Sequence, residues 1–138
     1  MQINSESVFI LLIAIIIFNF LKDYYLDFLN SKHFKNKIPE IISDVYDDEK
    51  YLISQEYKQN QYIFSKYSKI YSLIIILCFF YFDGFLILDN YCRSLFESPI
   101  LISLSFFGII FFGNELLGLP FSIYYTFIIE EKFGFNKT

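Results

Sequence analysis

Residues 70–88 read IYSLIIILCFFYFDGFLIL, nineteen positions with a single charge, Asp83. Thirteen of them are Ile, Leu or Phe. Each contributes about −0.3 to −0.6 kcal/mol on entering a bilayer, or about −4 to −8 kcal/mol together. An acid at the bilayer centre costs about 2.5–3.5 kcal/mol. Insertion wins even with Asp83 counted in full, so this stretch is read as a membrane span.

Working outward, two more apolar stretches flank it. Upstream, Val8 to Leu21 is interrupted only by Asn19, and apolar character resumes after Lys22 and Asp23 with Tyr24, Tyr25, Leu26, Phe28 and Leu29. No Lys or Arg precedes it, and a chain whose one alanine is Ala14 cannot form an A-x-A cleavage site. The stretch therefore reads as an uncleaved helix over about 4–28, with Lys22 snorkelling to an interface. Downstream, Ile100 to Ile129 is too long to cross upright, since thirty helical residues measure about 45 Å against a core of about 30 Å. Gly113, Gly118 and Pro120 are expected to kink it, and Glu115 lies in its middle. The expected fold class is an all-α membrane protein with three transmembrane helices, at about 4–28, 68–90 and 99–128.

The polar segment between the first two spans, a loop over about 29–67, holds the start of another feature. Asp47, Asp48 and Glu49 suit a helix N-terminus. Tyr46, Ile53, Tyr57, Phe64 and Tyr71 then fall on one helical face. The second span is thus expected to extend as one long helix into the cytoplasm, with Pro39 opening a shorter helix before it. Residues 22–69 carry eight lysines, residues 1–7 carry no Lys or Arg, and residues 89–99 carry only Arg93. That asymmetry puts the first loop and the C-terminus in the cytoplasm and the N-terminus outside, in a multi-pass integral membrane protein whose immediate partner is the lipid bilayer.

Composition removes other classes. At 55% hydrophobic residues the chain is not disordered. With net charge −4 it is not a nucleic-acid binder. Two cysteines, Cys78 and Cys92, do not make a disulfide scaffold. One histidine, His33, and those separated cysteines do not make a zinc site, and no H-E-x-x-H, Walker loop or G-x-S-x-G occurs. No catalytic or metal residue is therefore assigned. The sequon at Asn136 to Thr138 falls on the expected cytoplasmic side and carries little weight. Asp83 and Glu115 are ionisable groups in apolar stretches, a position that commonly faces a polar chamber. Asp89 and Arg93 are spaced i, i+4 with the acid first, the better order for a local ion pair.

The run LPFSIYYTFIIEEKFGFNKT, residues 119–138, closely resembles the third-span exit of the type I CAAX prenyl proteases, which are integral-membrane zinc metallopeptidases. Gly84-Phe85, Leu88-Asp89 and Arg93 resemble the end of that family's second span, and Phe106-Phe107-Gly108 the start of its third. Pro39, Tyr46, Asp47, Glu49 and Tyr51 resemble a segment of its first loop. The resemblance implies seven membrane helices around a water-filled chamber, closed by a zinc site built from H-E-x-x-H and a downstream Glu. It further implies that residues 1–138 form the N-terminal multi-span membrane domain, with the catalytic zinc domain absent from this chain. No cofactor belongs to the chain itself, zinc being implied for the full-length family. The implied partners are a missing C-terminal catalytic segment and, in the full-length protein only, a peptide or prenylated-peptide substrate. Glu115, Glu130, Glu131 and Asn136 are the candidate chamber or inter-segment contacts. Asp89, Arg93, Pro120 and Gly134 are the structural motif residues. The expected function is the chamber-wall portion of a zinc metalloendopeptidase, not catalytic by itself. A non-enzymatic three-span protein, either a remnant or a helical partner subunit, is the alternative.

Overall fold

The computed structural model describes residues 4–34 and 48–136. Pro39, Tyr46 and Asp47, and the last two sequon positions, lie outside them. The described residues are all-helical apart from short turns, and three helices are long and apolar enough to cross a membrane.

Residues 1–71 form one compact unit. Helix α1 is Ser5–Ser31, entered from an extended Asn4 and favoured by Glu6 at the positive end of its dipole. It closes on tight turns, with Lys32 N donating to Leu29 O and His33 N to Asn30 O. Helix α2 is Asp48–Tyr81, and its thirty-four residues measure about 51 Å. It is continuous from the polar segment into the apolar one. Ile53 on its expected face is exposed, while Tyr57, Phe64 and Tyr71 are half-buried.

Two contacts set α1 and the first part of α2 antiparallel. Lys69 Nζ donates to Asp27 Oδ2 at 2.5 Å, and the Phe34 and Tyr62 rings meet edge to face at 6.0 Å. From Asp27 to Phe34 the partner falls from Lys69 to Tyr62. Lys66 also stands over the Tyr24 ring, 5.6 Å from its centre. Aromatic rings and lysines thus meet in one band, the chemistry of a membrane–water boundary.

Residues 72–138 form the second unit. The stretch 70–88, read above as one continuous span, is divided. Helix α2 ends at Tyr81, and α3, Gly84–Leu95, starts afresh. The hinge is Asp83, with φ 53° and ψ 34°, the left-handed region that a short polar side chain tolerates better than most. Its carbonyl accepts the first bond of α3, from Ile87 N at 2.9 Å. The chain turns so tightly that α3 starts against the α2 terminus, and Phe85 packs on Phe79 and Phe80 with ring centres 4.7 and 5.0 Å apart.

Helix α3 ends at an extended Phe96, and Ser98-Pro99 begins α4, Pro99–Tyr124, with proline in the first turn where its missing N–H costs nothing. Pro120 stays inside α4. The departure from α geometry falls further on, at a π-helix over Tyr125–Glu130. Helix α4 packs on α3, and the π-helix continues it.

Apolar side chains are not gathered into an aqueous-type core. Only Cys92 and Ile129 are buried hydrophobics among the described residues, whereas Ile100, Leu104 and Phe112 are 67–78% exposed. A surface of this kind belongs against hydrocarbon or against more protein.

Candidate functional site

Two places in the second unit gather the polar residues singled out in the sequence. The first is a cleft of about 560 Å³ between α3 and α4, lined by Asp89, Arg93, Glu97 and Ser103 above Phe85 and Phe106. Arg93 Nε donates to Asp89 Oδ2 at 2.7 Å, the expected i, i+4 pair. That hydrogen bond, and the negative charge behind it, raise the Arg93 guanidinium further above its already high range. Glu97 follows Arg93 by the same four-residue step, whereas Ser103 joins the cleft only because α4 packs on α3.

The second place is the end of the π-helix. Gly134 has φ +74°, a backbone that glycine adopts without a Cβ penalty. Phe135 N donates to Glu130 O at 2.9 Å and Gly134 N to Glu131 O at 3.0 Å. This is the paired reversal that satisfies the last carbonyls of a helix. Asn136 N also reaches Glu130 O at 3.4 Å, and the Asn136 side chain donates to Thr126 O at 3.2 Å, ten residues back. Ile129 is 6% exposed beneath this hook. Glu130 is half-buried and Glu131 exposed.

The other predicted residues stand apart. Glu115 is exposed on α4, and Asp83 is exposed at the α2–α3 hinge. Glu115 is therefore brought together neither with Glu130 and Glu131 nor with the α3–α4 cleft. Among the described residues no three His, Cys, Asp or Glu side chains gather as a metal site. The Asp27–Lys69 pair of the first unit is the contact that sequence reading missed, because forty-two residues separate its members.

Comparison with known proteins gives these places a context. A family model described as the CAAX prenyl protease N-terminal region, five membrane helices, matches residues 27–138. The CAAX prenyl protease 1 homolog of Dictyostelium discoideum is 31% identical over 136 residues, covering 94% of this chain and 32% of that protein. CAAX prenyl protease 1 of Saccharomyces cerevisiae is 33% identical over 113 residues, covering 75% of this chain and 25% of that protein. The crystal structure of S. mikatae Ste24p superposes with a TM-score of 0.84 at 32% identity, over 94% of this chain and 32% of that one. The chain thus spans about a third or less of the length of the relatives it matches. With sequence and backbone agreeing over nearly all of its residues, the chain belongs to the CAAX prenyl protease family, of which it carries N-terminal membrane structure.

Proposed function

We propose that residues 1–138 are a membrane domain forming part of the chamber wall of a zinc metalloendopeptidase, and that they do not cleave peptides by themselves. The observation that carries this reading is the fit to Ste24p, in which this chain accounts for 32% of the larger structure. Among the described residues no donor set for the zinc that the family implies comes together, so the roles proposed for them are other than holding it. Their work is to hold a shape: to insert, to exclude lipid from the interior, and to present polar groups to the remainder of the protein. Glu115, Glu130 and Glu131 are proposed as groups that meet that remainder. A peptide or prenylated-peptide substrate belongs to the assembled enzyme.

The proposed orientation has the N-terminus outside and the first loop and C-terminus in the cytoplasm. Lysine asymmetry supports it. The α1–α2 pairing supports a separate point, that the start of α2 stands in water. Phe34, just past the end of α1, meets Tyr62, so residues 48–61 of α2 run about 21 Å further on. That portion carries Glu49, Lys50, Glu56 and Lys58 and suits water, not lipid.

The test is a chimera in which this chain replaces the matching quarter of the Saccharomyces cerevisiae relative, reconstituted in nanodiscs with a prenylated peptide. The chimera should cleave the peptide, and this chain alone should not. A chimera that inserts and binds zinc but leaves the peptide intact would favour the non-enzymatic three-span alternative. Cleavage by the chain alone would sink the wall reading.

A further inference from the structure

The hook at the end of the third long helix is held in an unusual way. A reversal of this type is commonly closed by an apolar contact from the residue after the glycine. Here that residue, Phe135, is 63% exposed. Hydrogen bonds also close the turn. Three are backbone bonds from Gly134, Phe135 and Asn136 to Glu130 and Glu131. The fourth is different in kind. It is a side-chain bond from Asn136 Nδ2 to Thr126 O, and Thr126 lies inside the π-helix. Turns of this kind are wider than α turns and recur where a helix is adapted to function. The Asn136 bond spans that widened turn and ties its start to the residue beyond the reversal.

We infer that the Asn136 carboxamide is a latch that locks the Gly134 reversal onto the π-helix. It thereby fixes the direction in which the polypeptide leaves α4 and the side on which Glu130 and Glu131 stand. Asn136 is thus a positioning residue. It spends its donor inside its own unit, whereas Glu130 and Glu131 remain for contacts to the rest of the protein. The role in catalysis rests on the chamber-wall reading, and the latch itself does not.

The experiment has two arms. In the first, the chain in nanodiscs is followed by millisecond hydrogen exchange at the amides of residues 134–136. Asn136→Asp has the same shape but no donor, and its charge is repelled by the carbonyl it replaces a bond to. It should accelerate exchange about two- to tenfold, the effect of one lost hydrogen bond. Gly134→Asn, which tolerates a left-handed backbone, should preserve protection, and Gly134→Val should lose it. Unchanged exchange in Asn136→Asp, or full protection in Gly134→Val, overturns the latch. In the second arm, the chimera carrying Asn136→Asp should insert normally, retain its KM, and lose about tenfold or more in kcat. Normal kcat with accelerated exchange overturns the positioning role. A chimera inactive with Asn136 intact counts against the wall reading alone, since exchange reads the latch without it.

Discussion

Alanine at position 84 should collide with Phe79. A Cβ there would lie 2.6 Å from Phe79 Cδ2, 2.7 Å from Cγ and 2.8 Å from Cε2. Carbon atoms rest about 3.5–4.0 Å apart, so the ring must retreat by about 1 Å. Because Cγ is among the atoms struck, spinning the ring about its own axis does not clear it, and the side chain must swing from its base. That swing pulls Phe79 from its edge-to-face contact with Phe85, now at 4.7 Å. Overpacking of this kind costs about 1–3 kcal/mol, and the aromatic pair contributes about 0.5–1.5 kcal/mol. Alanine recovers about 1 kcal/mol as the better helix former, leaving a net loss of about 0.5–3.5 kcal/mol. The assay is a double-mutant cycle with Phe79→Ala, read by denaturant unfolding of the chain in mixed micelles. Gly84→Ala should be destabilising alone and near neutral once the ring is gone. Additive penalties, or a neutral Gly84→Ala in the native background, would refute the close approach as the reason glycine occupies this position.

Three further outcomes are expected. With Cys78 and Cys92 replaced, single cysteines at Ser31 and Ser98 should react with impermeant reagents from opposite faces of the membrane. Labelling from the same face would break the three-span orientation. The purified chain should hold no equimolar zinc after dialysis and show no peptidase activity, because one histidine and two separated cysteines cannot complete a catalytic site. Tight stoichiometric zinc would redirect attention to His33 and nearby carboxylates. A double-mutant cycle on Asp27 and Lys69 should give a coupling of about 0.2–1 kcal/mol, since both side chains keep about a third of their exposure, and no coupling would mean that the two helices are registered by their aromatic rings alone.

Much of the fold is legible in the sequence because hydrocarbon imposes a simple rule: an apolar helical run must be long enough to cross. Residues 5–31 and 99–130 carry that signal on their face. The continuity of α2 from polar to apolar residues is legible from the helical repeat of Ile53, Tyr57, Phe64 and Tyr71. The break at Asp83 is not, because hydropathy sums side chains and is blind to φ. Its signal was the dipeptide Asp83-Gly84, a turn former placed inside an apolar run. Family resemblance points to Glu130, Gly134 and Asn136 as notable residues. The bond from Asn136 back to Thr126 runs across both the π-helix and the Gly134 reversal, and no local propensity encodes it.

The pairing of Asp27 with Lys69 also has a history in time. The two are forty-two residues apart, with all of the polar loop between them. A ribosome adding about 5–20 residues per second makes Lys69 some 2–8 s after Asp27. During that interval the end of α1 carries an acid whose cation does not yet exist. The register of the first helix against the second is therefore unset until the second arrives. A nascent chain stalled before Lys69 has left the ribosome should lack this pair, a difference of no more than about 1 kcal/mol.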